Sequence, residues 1–344
     1  MHRLNSPVAA TALFFATGLW LTAASPFTTR LLEQNELWGD GKAELTIYAA
    51  QEKRYGTLRP TEVRHIVVRE DFAGKEQVKA DDWQSPGAYP VFKLNQIITV
   101  PTGTYRYDQG HSSFWRARDG ELIKFASTTN DSCGLSYKQG NRSPGSWRYR
   151  AFTYWEGMSE VSTYAKPPAG ALTYDELPFK LRTLNFGVVT TFTAPLMESV
   201  IDSKADQLVW TPATFTIAAG DTVWLVTVQH AQGTDRFEFD QASPHALRSW
   251  QRLDGSSLRR TQLVRLPYWK LNQPGDEKYL QAPQSGWRFI SIRLDFTGGN
   301  RVNRADALSN RIFTEGNEGS KDPAVRSPPC GSGFTADTRC PSAP

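Results

Sequence analysis

Over most of its length after residue 43, the chain alternates apolar and polar residues with a period of two. Successive side chains of a strand point to opposite faces, so Phe92, Leu94 and Ile98 would share one face. Lys93 and Asn95 would share the other. Roughly ten or more such segments at short spacing predict a mostly β fold, in the form of a large curved antiparallel sheet, an unclosed β-barrel or a sandwich with a few short helices.

Two Asp-Gly dipeptides stand between alternating segments, at Asp119-Gly120 and Asp254-Gly255. Asp-Gly suits the two central positions of a type I′ turn and is a strong local signal for a β-hairpin. A tryptophan lies four residues before each Asp, at Trp115 and Trp250. The two matching hairpins indicate two related β-rich halves.

The boundaries of these halves follow from composition. Residues 25–166 form the first β-rich half, and residues 167–190 form a linker that is rich in proline and contains a short helix. Residues 191–313 form the second half. In residues 314–344 Gly, Ser, Pro and charged residues dominate, which predicts a flexible tail.

The first 24 residues have the composition of a signal peptide. A weakly basic start precedes an apolar stretch at residues 8–24, and Thr22-Ala23-Ala24 supplies small residues for cleavage after Ala24. The alternative is an uncleaved membrane anchor, for which about 17 residues are short. Cleavage predicts export to the periplasm or outer surface of a bacterium, with no integral membrane span in the mature chain.

The three cysteines divide into a pair and a single residue. Cys330 and Cys340 lie close together in the tail, and in an oxidising compartment we expect them to form a disulfide. Cys133 is left over and can be a buried thiol, a reactive thiol or an intermolecular partner. Free cysteine is among the most buried residue types, which favours the first.

No motif for catalysis, metal binding or cofactor binding is present. Gly110-His111-Ser112 begins like a nucleophile elbow, but Phe114 occupies the place of the second glycine. The five histidines lack metal-ligand spacing, and no glycine-rich phosphate loop precedes a helix. The net charge of +4 is scattered along the chain, which argues against nucleic-acid binding. We therefore expect no cofactor and no metal, and we leave the catalytic residues open.

Two groups of residues are candidates for binding. The polar group would share one face of the strand around residue 93 and its predecessor, and the aromatic group would line a ligand cavity. The competing interpretations are a solvated sheet face for the polar group and a tightly packed core for the aromatic group. The candidates are Lys79, Asp81, Lys93, Asn95, Trp115 and Trp250.

Several short stretches between Trp38 and Glu156 form a specific run of motifs: 38–49 (WGDGKAELTIYA), Tyr55-Gly56, 77–81 (QVKAD), 90–95 (PVFKLN), 102–105 (TGTY) and Cys133-Gly134. These stretches resemble a family of uncharacterised bacterial envelope proteins, many of them lipoproteins and some labelled septum formation inhibitor Maf. The sequence departs from that family at its N-terminus, where no lipobox cysteine is present, and at Asp131-Ser132. It also lacks the phosphate motif of the cytoplasmic Maf pyrophosphatases.

The pattern of strands is also similar to that of the unclosed-barrel carriers of outer-membrane lipoproteins. This second resemblance implies a concave sheet able to hold an acyl chain. Together, these features predict an exported, non-enzymatic protein that binds a lipid, an acyl chain or a glycan of the envelope. The alternatives are an envelope hydrolase, which would depend on a residue such as Asp81 or Cys133, and a scaffold without a ligand.

Overall fold

The computed structural model describes residues 25–131, 134–205 and 207–280. These residues belong to one compact unit, Met1–Gly286, and a second unit, Trp287–Pro344, lies outside the described residues. The predictions for the signal peptide, for the tail and for all three cysteines therefore fall on residues that the structure does not describe.

Nine strands form the first part of the described chain. A short helix, α1 (Asn35–Trp38), precedes them. The strands are β1 (Ala43–Arg54), β2 (Thr57–Ala73), β3 (Val78–Lys79), β4 (Ala88–Pro101), β5 (Arg106–Arg116), β6 (Leu122–Asp131), β7 (Gly134–Ser143), β8 (Ser146–Phe152) and β9 (Glu160–Ala165).

Seven further strands follow. A second short helix, α2 (Leu177–Lys180), lies between the first and second of them. The strands are β10 (Leu172–Thr173), β11 (Thr191–Met197), β12 (Trp210–Ala219), β13 (Val223–His230), β14 (Gly233–Asp240), β15 (Leu247–Gln251) and β16 (Ser257–Leu266).

All sixteen strands belong to one sheet. Strands β1 to β9 are here called the first run, in which β3 pairs only with β2, and strands β10 to β16 are called the second run. The two runs are joined where β16 pairs antiparallel with β1, in a register that places Ala49 opposite Arg259. Among the strands of the described residues, only the short pairing of β10 with β11 is parallel. The sheet is unclosed, with β10 and β9 at its two edges, so the predicted fold class is confirmed.

The two predicted hairpins are present. Asp119-Gly120 connects β5 to β6, and Asp254-Gly255 connects β15 to β16. Each turn has its glycine at positive φ, 65° at Gly120 and 91° at Gly255, where a residue with a side chain would be strained. The local chemistry of these two dipeptides therefore fixes which strands pair.

One deeply buried segment lies within the predicted linker, residues 167–190. Residues 172–184, here called the plug, contain β10, α2 and a 3₁₀ turn on each side of α2. Leu177 and Leu181 are fully buried in a cluster of inner-face residues from both runs, and Phe179 packs against Phe92 and Trp115 of β4 and β5. The plug thus packs against the inner face of the sheet and stabilises it through apolar burial.

Smaller apolar clusters cover parts of the opposite, outer face. Leu45, Ile66 and Val68 form one of them, and Phe72 and Phe114 belong to another. No helix in the described part of the chain is long and apolar enough to cross a bilayer.

Candidate functional site

A cavity of about 380 Å³ lies on the inner side of the sheet, next to the plug. Its volume falls within the range of small-molecule sites. Strands from both runs contribute to its wall, because alternate residues of each strand point inward. The lining is rich in polar groups and includes Glu52, Gln96, Gln109, Tyr174, Asp175, His230, Asp235, Trp250 and Arg252.

Asp235 organises one wall of this cavity. The carboxylate is buried, and it accepts hydrogen bonds from Trp250 Nε1 at 3.0 Å and from the backbone N–H of Leu253 at 3.0 Å. The hydroxyl of Tyr174 donates to the same carboxylate. Burial raises the pKa of Tyr174 above its ordinary value, so the phenol keeps its proton and remains a donor. These bonds fix the positions of Tyr174 and Trp250.

Glu52 and Arg252 form an ion pair beside that wall, with 2.9 Å between Oε2 and Nη1. The Arg252 guanidinium also lies 4.3 Å from the ring centroid of Trp250. Burial raises the pKa of Glu52, and the charge of Arg252 opposes that effect. The pair therefore places a buried acceptor and a buried donor side by side on the cavity wall.

Three buried polar atoms on this lining have no hydrogen-bond partner among the described residues. They are Glu52 Oε1, Arg252 Nε and His230 Nε2. His230 Nε2 lies 3.6 Å from Asp235 Oδ1, which is beyond hydrogen-bond reach. Each of these three atoms is buried from solvent, so a molecule in the cavity reaches it only if the side chain turns towards the cavity.

Ser113, His111 and Asp175 form a second polar arrangement. His111 Nε2 lies 3.0 Å from Ser113 Oγ, and His111 Nδ1 lies 3.8 Å from Asp175 Oδ2. This order of contacts is that of a serine nucleophile with its base and orienting acid. However, Ser113 is 0% exposed, and of the three only Asp175 lines the cavity. Burial lowers the pKa of His111, so the imidazole is neutral and packs as a core residue.

The two predicted tryptophans occupy different environments. Trp250 lines the cavity, but Phe237 stacks on it at 4.8 Å and Arg252 lies over its ring. Trp115 is buried beneath the plug, where its Nε1 donates to Glu176 Oε2 at 2.7 Å. Trp250 therefore belongs to the wall of the site, and Trp115 belongs to the core.

The four predicted polar residues lie away from the cavity. Lys93 and Asn95 are on the outer face of β4, where Lys93 pairs with Glu70 at 2.9 Å. Lys79 and Asp81 are exposed, on β3 and just after it. The structure does not bring these four together with Trp115 and Trp250.

Sequence reasoning missed Glu52, Asp235 and Arg252. One signal was present for Asp235, which shares the inward periodicity of Phe237 and Phe239 and so puts a carboxylate on an apolar face. Glu52 and Arg252 gave no such signal, because they meet only through the pairing of distant strands. In the described part of the chain, no three His, Cys, Asp or Glu side chains gather as metal ligands would.

Comparison with known proteins gives little further information. No protein-family model matches the sequence, and no curated protein matches it. A similar solved structure is the crystal structure of a beta-barrel-like protein of domain of unknown function DUF1849 from Brucella abortus. It has a TM-score of 0.41 and 11% sequence identity, over 65% of this chain and 98% of that chain. A similarity of this size supports no inference about function.

Proposed function

We propose that this chain is an exported, non-enzymatic envelope protein that binds a hydroxyl-rich polymer, a segment of glycan, in its interior cavity. The observation that carries the proposal is the polar lining of this cavity, on which the side chains of Glu52, His230, Asp235 and Arg252 come together.

A sugar hydroxyl both donates and accepts hydrogen bonds. It can therefore donate to the carboxylate of Glu52 and accept from the guanidinium of Arg252, which are adjacent on the wall. An acyl chain would leave these groups unsatisfied, at a cost of about 1–3 kcal/mol for each one. This difference favours a glycan over the acyl chain that the sequence left open.

The wall also needs little rearrangement to bind. Asp235 holds Tyr174 and Trp250, and Glu52 holds Arg252, through bonds formed within the protein. Groups fixed in advance lose less conformational entropy on binding, so more of the contact free energy appears as affinity.

Envelope hydrolysis is the second candidate, and the contacts among Ser113, His111 and Asp175 are the observation that favours it. The burial of Ser113 opposes it, because a nucleophile must reach the reacting carbon of its substrate. Binding without turnover is therefore the function that the geometry supports better.

Isothermal titration calorimetry with two probes tests the proposal. The first probe is a soluble chito-oligosaccharide and the second is palmitate. We expect the oligosaccharide to bind, and we expect Glu52→Gln to weaken that binding by about tenfold or more, since a charged hydrogen bond contributes about 1.5–3 kcal/mol.

Glu62→Gln is the matched control, because Glu62 is an exposed glutamate on the neighbouring strand β2. It should leave the affinity unchanged. Stoichiometric binding of palmitate together with no binding of the oligosaccharide would overturn the proposal.

A further inference from the structure

The outer face of β7 and β8, continued just past the end of β8, carries large apolar side chains in contact with solvent. Leu135 is 65% exposed, Tyr137 40%, Phe152 48% and Tyr154 76%. These four residues are here called the aromatic patch. They lie beside a shallow groove of about 640 Å³, and no charged side chain lines that groove. A contiguous apolar surface of this kind marks a site of interaction.

The patch is held rigidly. Tyr137 and Phe152 are directly opposite each other on paired strands. The ring of Tyr154 packs against the backbone of Gly134, where a Cβ would lie 2.5 Å from Tyr154 Cβ and Cγ. Gly134 also has φ of +142°, which side chains rarely adopt. The exposed rings are therefore fixed by the fold.

Two arginines lie on the same face of β8. Arg148 and Arg150 alternate with the buried Trp147, Tyr149 and Ala151, so they point outward with Phe152. Both are exposed, and neither forms an ion pair within the described chain.

Two acidic residues border the patch. Glu160 is opposite Phe152 on the edge strand β9, and Asp131 lies at the far end of the groove region. One basic residue lies near Asp131: the Lys204 ammonium is 5.0 Å from the ring centroid of Trp155. Aromatic side chains with unpaired arginines among them therefore dominate this surface.

We propose that the aromatic patch, with Arg148 and Arg150, docks the protein onto the surface of an anionic lipid bilayer. Tyrosine and tryptophan are favoured at the boundary between water and lipid, since their rings are amphipathic. Arginines close to an anionic bilayer gain electrostatic attraction. This surface role is separate from ligand binding in the cavity.

Two features of the fold agree with a lipid bilayer as the partner of the aromatic patch. The inner face of β7 points away from the patch, since Lys138 is buried and donates to the carbonyl oxygen of Val200 at 2.9 Å. Docking therefore leaves the interior accessible. A symmetric dimer through the patch would bring the arginines of two copies together, which is unfavourable.

Vesicle flotation with the full chain tests the proposal. One set of vesicles contains phosphatidylcholine alone, and the other contains phosphatidylcholine mixed with phosphatidylglycerol. The apolar stretch at residues 8–24 is common to every variant, so differences among variants report on the patch.

We expect Arg148→Gln with Arg150→Gln to weaken binding to the mixed vesicles by about thirtyfold, from about 1 kcal/mol for each arginine. The matched control removes two exposed arginines elsewhere, Arg236→Gln with Arg259→Gln, and should change binding little. Glu160→Gln should strengthen binding by about fivefold. A misfolded variant would not produce that gain.

Equal binding by the Arg148 and Arg150 variant and its control would overturn the proposal. So would the absence of any gain from Glu160→Gln. Sedimentation velocity supplies a third readout: a wild-type dimer that Leu135→Ser dissociates would assign the patch to self-association instead of lipid.

Discussion

Arg182 of the plug donates two hydrogen bonds to Glu44 of β1, from Nη1 to Oε1 at 2.7 Å and from Nη2 to Oε2 at 2.9 Å. Both side chains are buried. Arg182 Nε also donates to the carbonyl oxygen of Pro244, between β14 and β15, at 3.0 Å. One guanidinium therefore ties the plug to β1 and to the loop between β14 and β15.

Glu44→Gln should lower the free energy of unfolding by about 3–5 kcal/mol, because it leaves the charge of Arg182 buried and uncompensated. Urea denaturation followed by circular dichroism measures the change. Glu62→Gln removes the acidic partner of an exposed pair with Arg64 and should cost less than about 1 kcal/mol. An equal loss of unfolding free energy in Glu44→Gln and Glu62→Gln would contradict this effect of burial on the Arg182–Glu44 pair.

Gly140→Ala tests how closely the inner face of the first run is packed. A Cβ at this position would lie 2.2 Å from Phe125 Cε1 on the paired strand. We expect a loss of about 1–3 kcal/mol in unfolding free energy, typical of an overpacked core. The same measurement on Gly140→Ala with Phe125→Leu should recover part of the loss. An unchanged free energy of unfolding in Gly140→Ala would contradict close packing between this position and Phe125.

The fold class was accessible from sequence, because a period of two and Asp-Gly turns are local signals. The alternation around Phe92 and the hairpin at Asp254-Gly255 both correspond to elements of the structure. The plug was not accessible in this way. It lies in a stretch whose prolines, Pro167, Pro168 and Pro178, are typical of a linker, and its burial depends on contacts such as Arg182 with Glu44, far apart in sequence.

The candidate site was harder to predict for the same reason. Trp250 was a candidate because it stands near a recognisable turn, and its neighbours Glu52 and Asp235 on the cavity wall come from other strands. Lys93 and Asn95 alternate as strand residues should, yet periodicity does not say which face is concave. Register and curvature decide that, and both arise from long-range pairing.

His65 should make the protein less stable in mild acid. Burial, together with the charges of Arg252 and Arg182, lowers its pKa to about 3 from 6.5. Between those values the unfolded chain binds a proton that the folded chain does not, so stability is full above pH 6.5 and falls as the pH drops towards 3.

Urea titrations at pH 7 and pH 5 measure this effect. Wild type should lose about 2 kcal/mol more than His65→Leu between the two conditions, at about 1.4 kcal/mol for each pH unit inside the window. Other titrating groups are present in both proteins and cancel in the comparison. Equal losses of unfolding free energy by wild type and His65→Leu between pH 7 and pH 5 would contradict the assignment of a buried, neutral His65.

Ser113→Ala separates binding from hydrolysis. Because Ser113 is fully buried and does not line the cavity, we expect this variant to bind the chito-oligosaccharide as tightly as wild type does. Neither protein should release reducing ends on prolonged incubation. Release by wild type that Ser113→Ala abolishes would establish the hydrolase instead.

Native mass spectrometry of the full chain, purified without detergent from the cells that make it, tests the proposed cavity ligand most directly. Glu52→Gln, purified in parallel, is the control. We expect wild type to carry one hydroxyl-rich oligosaccharide and the variant to have lost most of it, since Glu52 lines the cavity. A bound lipid that both proteins retain equally, or a wild-type chain with no ligand, would contradict glycan binding in this cavity.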